Sequence, residues 1–192
     1  MQKYYDNTEK SPANTNLIYC LNTVKPTPGK AIDIGCGAGR DTKYLLKNGW
    51  NVIAIDKAEL HDRIAKYLTE DAKKRFKFSI QEFENLELEK ADLIVANFSL
   101  SFCLKNNFSE MWDKIVDNIN KNGYFVGNFF GTNDEWKDQM ANQTFFTKEQ
   151  VTNLFKDFNI IKLDEIEKDS LTGEGKMKHW HYFSVIAQKL FV

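Results

Sequence analysis

The stretch "AIDIGCGAGRDTKYLLKNGWNVIAID", residues 31–56, reads as a buried strand, a glycine turn, an amphipathic helix, a second strand and a terminal carboxylate. "AIDI" and "VIAI" are short apolar runs of strand length, and the segment from Arg40 to Lys47 between them carries helical periodicity. Two such strands joined through a helix lie parallel, because the right-handed crossover is the one that packs the helix back on the sheet. Downstream the pattern repeats. A helix from about Glu59, "FKFSI" at 76, "DLIVA" at 92, a helix from Phe108 to Ile119 and, through the turn "KNG" at 121, the strand "YFVGNFF" follow in order. That alternation predicts an α/β, Rossmann-like parallel sheet with helices on both faces. "TKEQVTNLF" at 147 starts as a capped helix, with Thr147 as the cap and Gln150 as its box partner. "NIIKLDEIE" at 159 and "HYFSVIAQ" at 181 have only the polar loop "KDSLTGEGKMK" between them, which predicts a C-terminal antiparallel hairpin. Upstream, a short helix over Ala13 to Leu21 ends before Pro26 and Pro28.

The 192 residues fit one domain without linkers or repeats, and 26 basic against 27 acidic side chains leave a formal charge of −1. No global field favours nucleic acid or anionic lipid, so a small-molecule partner is expected. The N-terminus lacks the apolar segment of a signal peptide and no run approaches membrane-spanning length, which predicts a cytoplasmic protein. Cys20, Cys36 and Cys103 are odd in number and widely spaced, as reduced structural thiols would be. No metal site is expected.

The glycine turn points to its ligand. A dinucleotide fingerprint needs G-x-G-x-x-G, and counted from Gly35 the third glycine position is Arg40. A nicotinamide oxidoreductase is the less favoured reading for that reason. Asp33, two residues before the turn, would repel a pyrophosphate and suits an ammonium group. Asp56 ends the second strand 21 residues beyond Gly35, where a carboxylate can accept both ribose hydroxyls. A nucleoside with an ammonium group and no pyrophosphate describes S-adenosyl-L-methionine.

The same residues, "DIGCGAGRDTKYLLKNGWNVIAID", resemble the cofactor loop of class I S-adenosylmethionine-dependent methyltransferases, and most closely the small tellurite-resistance-like and thiopurine-methyltransferase-like branch, with its "GCG-G-R" loop and a Gly-aromatic step, here Gly49 and Trp50. The resemblance implies a seven-stranded sheet of order 3-2-1-4-5-7-6 with strand 7 antiparallel. It implies cofactor contacts from Asp33, from the loop residues Gly35, Cys36, Gly37, Gly39 and Arg40, and from Asp56 with its neighbour Lys57. One of Gln81 and Glu82 would meet the adenine amino group, and Phe83 would either pack on the adenine ring or belong to the core. Residues 1–28 would form an N-terminal lid and helix, with Tyr4 and Tyr5 either on the cofactor or in a free tail. A protein that binds the cofactor without turnover is the alternative to an enzyme.

At the end of the fourth strand, "NFSL" lacks the two prolines that nucleobase-modifying amino-methyltransferases carry there, which argues against a nucleic-acid substrate. Asn97 is a candidate cofactor or substrate contact, Phe102 is expected in the core and Cys103 is expected to be inert. In "KHWHYF" at 178, His179 and His181 stand at i and i+2 of a strand and share a face. They are expected to orient or deprotonate the acceptor, with Arg40 attracting an anionic one. The acceptor would be a small molecule such as a thiol or a metalloid oxyanion, and the oligomeric state is left open.

Overall fold

The computed structural model describes residues 2–190. Its strands are β1 (Lys30–Ile34), β2 (Asn51–Asp56), β3 (Phe76–Ile80), β4 (Ala91–Ala96), β5 (Ile119–Phe130), β6 (Phe158–Leu171) and β7 (Met177–Lys189). They form one sheet of order β3-β2-β1-β4-β5-β7-β6. The first five run parallel, and β7 lies antiparallel between β5 and β6. The expected topology is therefore present.

Two apolar layers sandwich the sheet. On one face Ile32, Ile34, Ile94, Phe125, Phe129 and Phe183 pack with Met111, Trp112 and Ile115 of α6 (Phe108–Asn118) and Val151 of α8 (Lys148–Leu154). On the other, Ala31, Val52, Leu93, Val126 and Ile186 meet Leu17 of α2 (Thr15–Tyr19) and Leu45 and Leu46 of α3 (Arg40–Lys47). Each fully buried Leu or Ile contributes about 1.5–3 kcal/mol, and strands covered on both sides read as the unbroken apolar runs seen in the sequence. α3 ends where its pattern does: Asn48 Nδ2 donates to the Tyr44 carbonyl, and Gly49 takes φ +88°.

Four local expectations shift. The helix foreseen from Glu59 is two short ones, α4 (His61–Ala65) and α5 (Glu70–Lys74), because Thr69 caps a new helix, its side chain accepting from the Ala72 N–H. The "KNG" turn lies within β5 as a bulge, where pairing slips between Ala91↔Ile119 and Leu93↔Tyr124 and Asn122 takes φ +61°. Most of the polar loop before β7 is strand: pairing continues to Leu171↔Met177. The helix expected over 13–21 is α2 continued by a wider turn, Cys20–Val24, which Lys25 closes at φ +55° ahead of Pro26. An N-terminal helix α1 (Gln2–Thr8) lies over the carboxyl end of β1, and α7 (Trp136–Gln139) follows β5. Thr147 and Gln150 form the foreseen capping box. All three cysteines are buried and unpaired with one another. No described helix is long and apolar enough to cross a membrane.

Candidate functional site

The three glycines of the turn have separate duties. All have positive φ, +71° at Gly35, +53° at Gly37 and +75° at Gly39. A Cβ on Gly35 would lie 2.4 Å from the Ser99 Cβ, and one on Gly39 would lie 2.6 Å from Ile64. Those two serve packing. A Cβ on Gly37 would meet nothing closer than the Tyr4 ring, at 3.7 Å. Gly37 is thus the position at which the turn leaves its backbone open to a ligand, beneath α1. Its N–H donates to Asp56 Oδ2 at 2.9 Å, and Asp56 Oδ1 accepts from the Ala58 N–H at 3.0 Å.

Beneath the turn lies a group of oxygens with few donors. Asp33 is buried and accepts from Thr42 Oγ1 at 2.6 Å. Asp41, in the first turn of α3, accepts from the Asn14 N–H at 2.7 Å and from Asn97 Nδ2 at 2.9 Å. Asn97 Oδ1 is buried with no partner. Burial, reinforced by the neighbouring Asp41 charge, pushes the Asp33 carboxyl up to about 7. Asp33, Asp41 and Asn97, with Tyr4, Thr8 and Arg40, line a cavity of about 20 Å³. Two carboxylates and an orphaned carbonyl oxygen want a multiply donating cation, and an α-ammonium group has three N–H donors to offer them. The chemistry of this donor-poor set fits the amino-acid end of S-adenosylmethionine.

The remaining expected contacts are placed as follows. Lys57 and Glu82 are exposed beside the rim. Gln81 is already engaged, donating to Ser79 Oγ at 2.9 Å and accepting from the Glu87 N–H at 2.7 Å. Phe83 packs against the core layer that α6 covers. Cys36 is buried, and burial followed by the Asp33 charge pushes its thiol well up, which makes it inert.

A second cavity, of about 640 Å³, opens between residues 11–16 and the β5-β7-β6 part of the sheet. Arg40 lines both cavities. Phe98, at the end of β4, has φ +54°, unusual for a ring-bearing residue. Its ring centroid lies 4.9 Å from Tyr182 and 5.6 Å from Trp180. Phe102, expected in the core, is 37% exposed and extends this aromatic group against Phe130 and Trp136. Behind it is a buried ion pair: Lys178 Nζ lies 2.5 and 2.6 Å from the two Asp134 oxygens and 3.8 Å from the Trp180 ring centroid. Asp134 also accepts from the Trp136 and His181 N–H groups, which fixes the segment after β5 against β7.

His179 and His181 do share a face, as their spacing requires, but it is the other face. Register pairs Phe130 with Tyr182 and Asn128 with Ser184, so the even-numbered residues of β7 look toward the cleft. His181 is buried beside Phe183, its Nδ1 accepting from the Asn133 N–H at 3.0 Å and its Nε2 3.2 Å from Glu165. Both ring nitrogens of His179 meet carboxylates, Asp169 at 2.7 Å and Glu167 at 3.1 Å, and these bonds raise its pKa. The fold brings neither ring to the cavity that Arg40 lines.

Asp41, Asn16 and the Lys178–Asp134 pair were not singled out in the sequence. Asp41 had a signal, an acidic side chain in the first turn of the helix that the glycine turn opens, at the positive end of its dipole. The others had none, since their partners are remote in the chain.

The family model described as tellurite resistance protein TehB matches residues 1–174. Among curated proteins, the carboxy-S-adenosyl-L-methionine synthase of Campylobacter concisus is 25% identical over 108 residues, which cover 55% of this chain and 46% of that protein. Among solved structures, TehB from Haemophilus influenzae superposes with a TM-score of 0.75 at 18% identity, covering 97% of this chain and 65% of that one. The Burkholderia thailandensis 1,6-didemethyltoxoflavin-N1-methyltransferase, with 1,6-didemethyltoxoflavin and S-adenosylhomocysteine bound, gives 0.71 at 20% identity over 99% of this chain and 85% of that one. The N-methyltransferase NodS of Bradyrhizobium japonicum, complexed with S-adenosylhomocysteine, gives 0.67 at 14% identity over 91% and 84%. The chain thus spans about half the length of the curated relative and about two thirds of the Haemophilus protein. At these identities the structural likeness is one of fold.

Proposed function

The chain belongs to the tellurite resistance protein TehB family, and from that premise we propose that it is an S-adenosylmethionine-dependent methyltransferase with a small-molecule acceptor. The observation that carries the reading is the unpartnered Asn97 Oδ1 beside the Asp33 and Asp41 carboxyls, in a cavity that Gly35, Cys36 and Ala38 of the glycine turn also line. The family resemblance in the glycine turn and the small organic molecule bound by the Burkholderia protein support it.

When bound, S-adenosylmethionine supplies an activated methyl group, which passes to the acceptor nucleophile as its carbon–sulfur bond breaks and the sulfonium becomes a thioether. The chain's own residues hold and shield. Asp33, Asp41 and Asn97 take the ammonium group. Asp56 spends one lone pair of each oxygen on the Gly37 and Ala58 N–H groups and keeps the others for ribose hydroxyls. α1 acts as a lid that excludes water. Its far end is latched, because Glu9 accepts from Arg63 at 2.7 Å, Tyr67 at 2.8 Å and Lys66 at 3.2 Å, while Asn7 reaches the Gly173 carbonyl of the β6–β7 turn at 3.0 Å. An acceptor that arrives as an anion needs no base, and the reading does not require His179 or His181.

Calorimetry with S-adenosylhomocysteine tests the binding half. Asp56→Ala is expected to weaken it by about 1.5–3 kcal/mol, the range for hydrogen bonds to a charged group. Unchanged affinity would remove the ribose assignment. Labelled-methyl transfer across thiols, amines, ring acids and metalloid oxyanions tests turnover, and binding with no transfer to any of them would leave the non-enzymatic alternative.

A further inference from the structure

The cleft beside the glycine turn has its own chemistry. At about 640 Å³ it has the size of pockets that hold drug-sized organic molecules, far more than a bare oxyanion of a few atoms fills. One wall is aromatic, made by Phe98 and Tyr182 and backed by Trp180. Such a wall attracts flat rings and cations alike. Trp180 already holds a cation, the Lys178 ammonium, 3.8 Å from its ring centroid and 4.4 Å from that of Trp136, and the Arg40 charge that lines the cleft with Phe98 and Tyr182 disfavours a second one. Lys162, at the cleft edge, is paired with Asp164.

Arg40 and Asn16 keep unused hydrogen-bonding capacity among the described residues. The Arg40 side chain is 28% exposed, and its one ionic contact among the described residues is the 3.8 Å approach of Nε to Asp41 Oδ1. That leaves a fork of N–H donors at the junction of the two cavities. Asn16 lines the cleft at 3% exposure, and while its Nδ2 donates to the Val185 carbonyl, its buried Oδ1 has no partner. A guanidinium without a hydrogen-bond acceptor and a carbonyl oxygen without a donor define what a ligand must bring.

We infer that this cleft is the methyl-acceptor site and that it takes a planar-ring organic anion carrying an N–H or O–H donor. The ring lies on Phe98 and Tyr182, the anionic group meets Arg40 and the donor meets Asn16 Oδ1. The assignment rests on the methyl-transfer reading above, since it is Arg40 that joins this cleft to the cofactor cavity.

The test is binding, read by calorimetry on protein saturated with S-adenosylhomocysteine. The probes are indole-2-carboxylate and 4-hydroxybenzoate, each beside its uncharged carboxamide, together with benzofuran-2-carboxylate and selenite. The expected result is that the ring carboxylates bind at least about ten-fold tighter than their carboxamides and than selenite, and that indole-2-carboxylate exceeds benzofuran-2-carboxylate, which lacks the donor. Arg40→Gln should erase the carboxylate preference. Ile166→Trp, which fills the cleft from β6 away from the glycine turn, should abolish ring-probe binding while S-adenosylhomocysteine affinity, and with it the fold, is retained. Equal binding of acids and amides, tighter binding of selenite, or ring-probe binding that survives Ile166→Trp would overturn the assignment. Failure of S-adenosylhomocysteine to bind the parent protein would instead overturn the methyl-transfer reading, so the two failures are distinct.

Discussion

Asn97 gives its Nδ2–H to Asp41 Oδ2 at 2.9 Å, and its own Oδ1, buried at the same spot, receives nothing. One bond ties the end of β4 to the first turn of α3, and the other half of the amide is held in reserve. A buried acceptor without a donor costs about 1–3 kcal/mol, a cost that a ligand's N–H would remove. Asn97→Leu should therefore lower S-adenosylhomocysteine affinity about ten- to hundred-fold while leaving thermal stability close to that of the parent. Calorimetry and a melting curve on the same sample read the two effects apart.

Asp33 supplies a pH signature. Its carboxyl is pushed from 3.8 up to about 7, first by burial and then by Asp41. The folded chain thus holds a proton that the unfolded chain releases, so the stabilisation from this group is complete below about pH 4 and is lost as pH rises to about 7. An ammonium ligand favours the ionised carboxylate. Ligand affinity should rise across that window, with proton release on binding near pH 6 and little near pH 8. Calorimetry in buffers of different ionisation enthalpy measures the proton count, and Asp33→Asn should flatten the profile.

The glycines should part company on substitution. Gly39→Ala places a Cβ 2.6 Å from Ile64 at φ +75°, so unfolding by urea should show a lower midpoint. Gly37→Ala has room, with Tyr4 at 3.7 Å, and pays chiefly in strained φ; its larger effect should be on cofactor affinity. Equal cofactor affinity in Gly37→Ala and the parent would mean that the ligand does not approach that backbone.

Lys178→Met strands the Asp134 carboxylate in a site where both partners are almost fully buried, 2% and 0% exposed at the side chain. Breaking a pair of this kind destabilises by about 3–5 kcal/mol. Adding Asp134→Asn to Lys178→Met should recover part of the loss, because the amide removes the uncompensated charge and keeps an oxygen for one of the Trp136 and His181 N–H groups, which bond different oxygens of Asp134. A double-mutant cycle by urea denaturation gives the coupling.

The histidines should behave as structural residues. His181→Ala deprives the Asn133 N–H of its acceptor and leaves a void beside Phe183, for a loss of about 1–3 kcal/mol of stability. His179→Ala removes a cation shared by Asp169 and Glu167 on an exposed face, so its effect should be small and confined to pH values at which the imidazole is charged. A hundred-fold fall in turnover at full stability in either variant would return them to the site.

What the sequence determined by itself was whatever depends on neighbours in the chain. The order of the strands along the chain, the glycine turn, the Thr147 cap, the carboxylate that closes β2 and the antiparallel final hairpin follow from local spacing, whereas α1, the break between α4 and α5 and the β5 bulge do not. Periodicity also established that His179 and His181 point the same way. It could not say which way, because the two faces of a strand are equivalent until a sheet and its covering helices are in place. The register Phe130↔Tyr182, with α2 laid over Asn128 and Ser184, decided that the even residues of β7 face the cleft. In the same manner, the meeting of Asp33, Asp41 and Asn97, the shelter of Lys178 among aromatic rings and the position of Arg40 between two cavities exist only where remote segments converge. Burial and electrostatic cost depend on what surrounds a group in space, and that is set when the chain has closed.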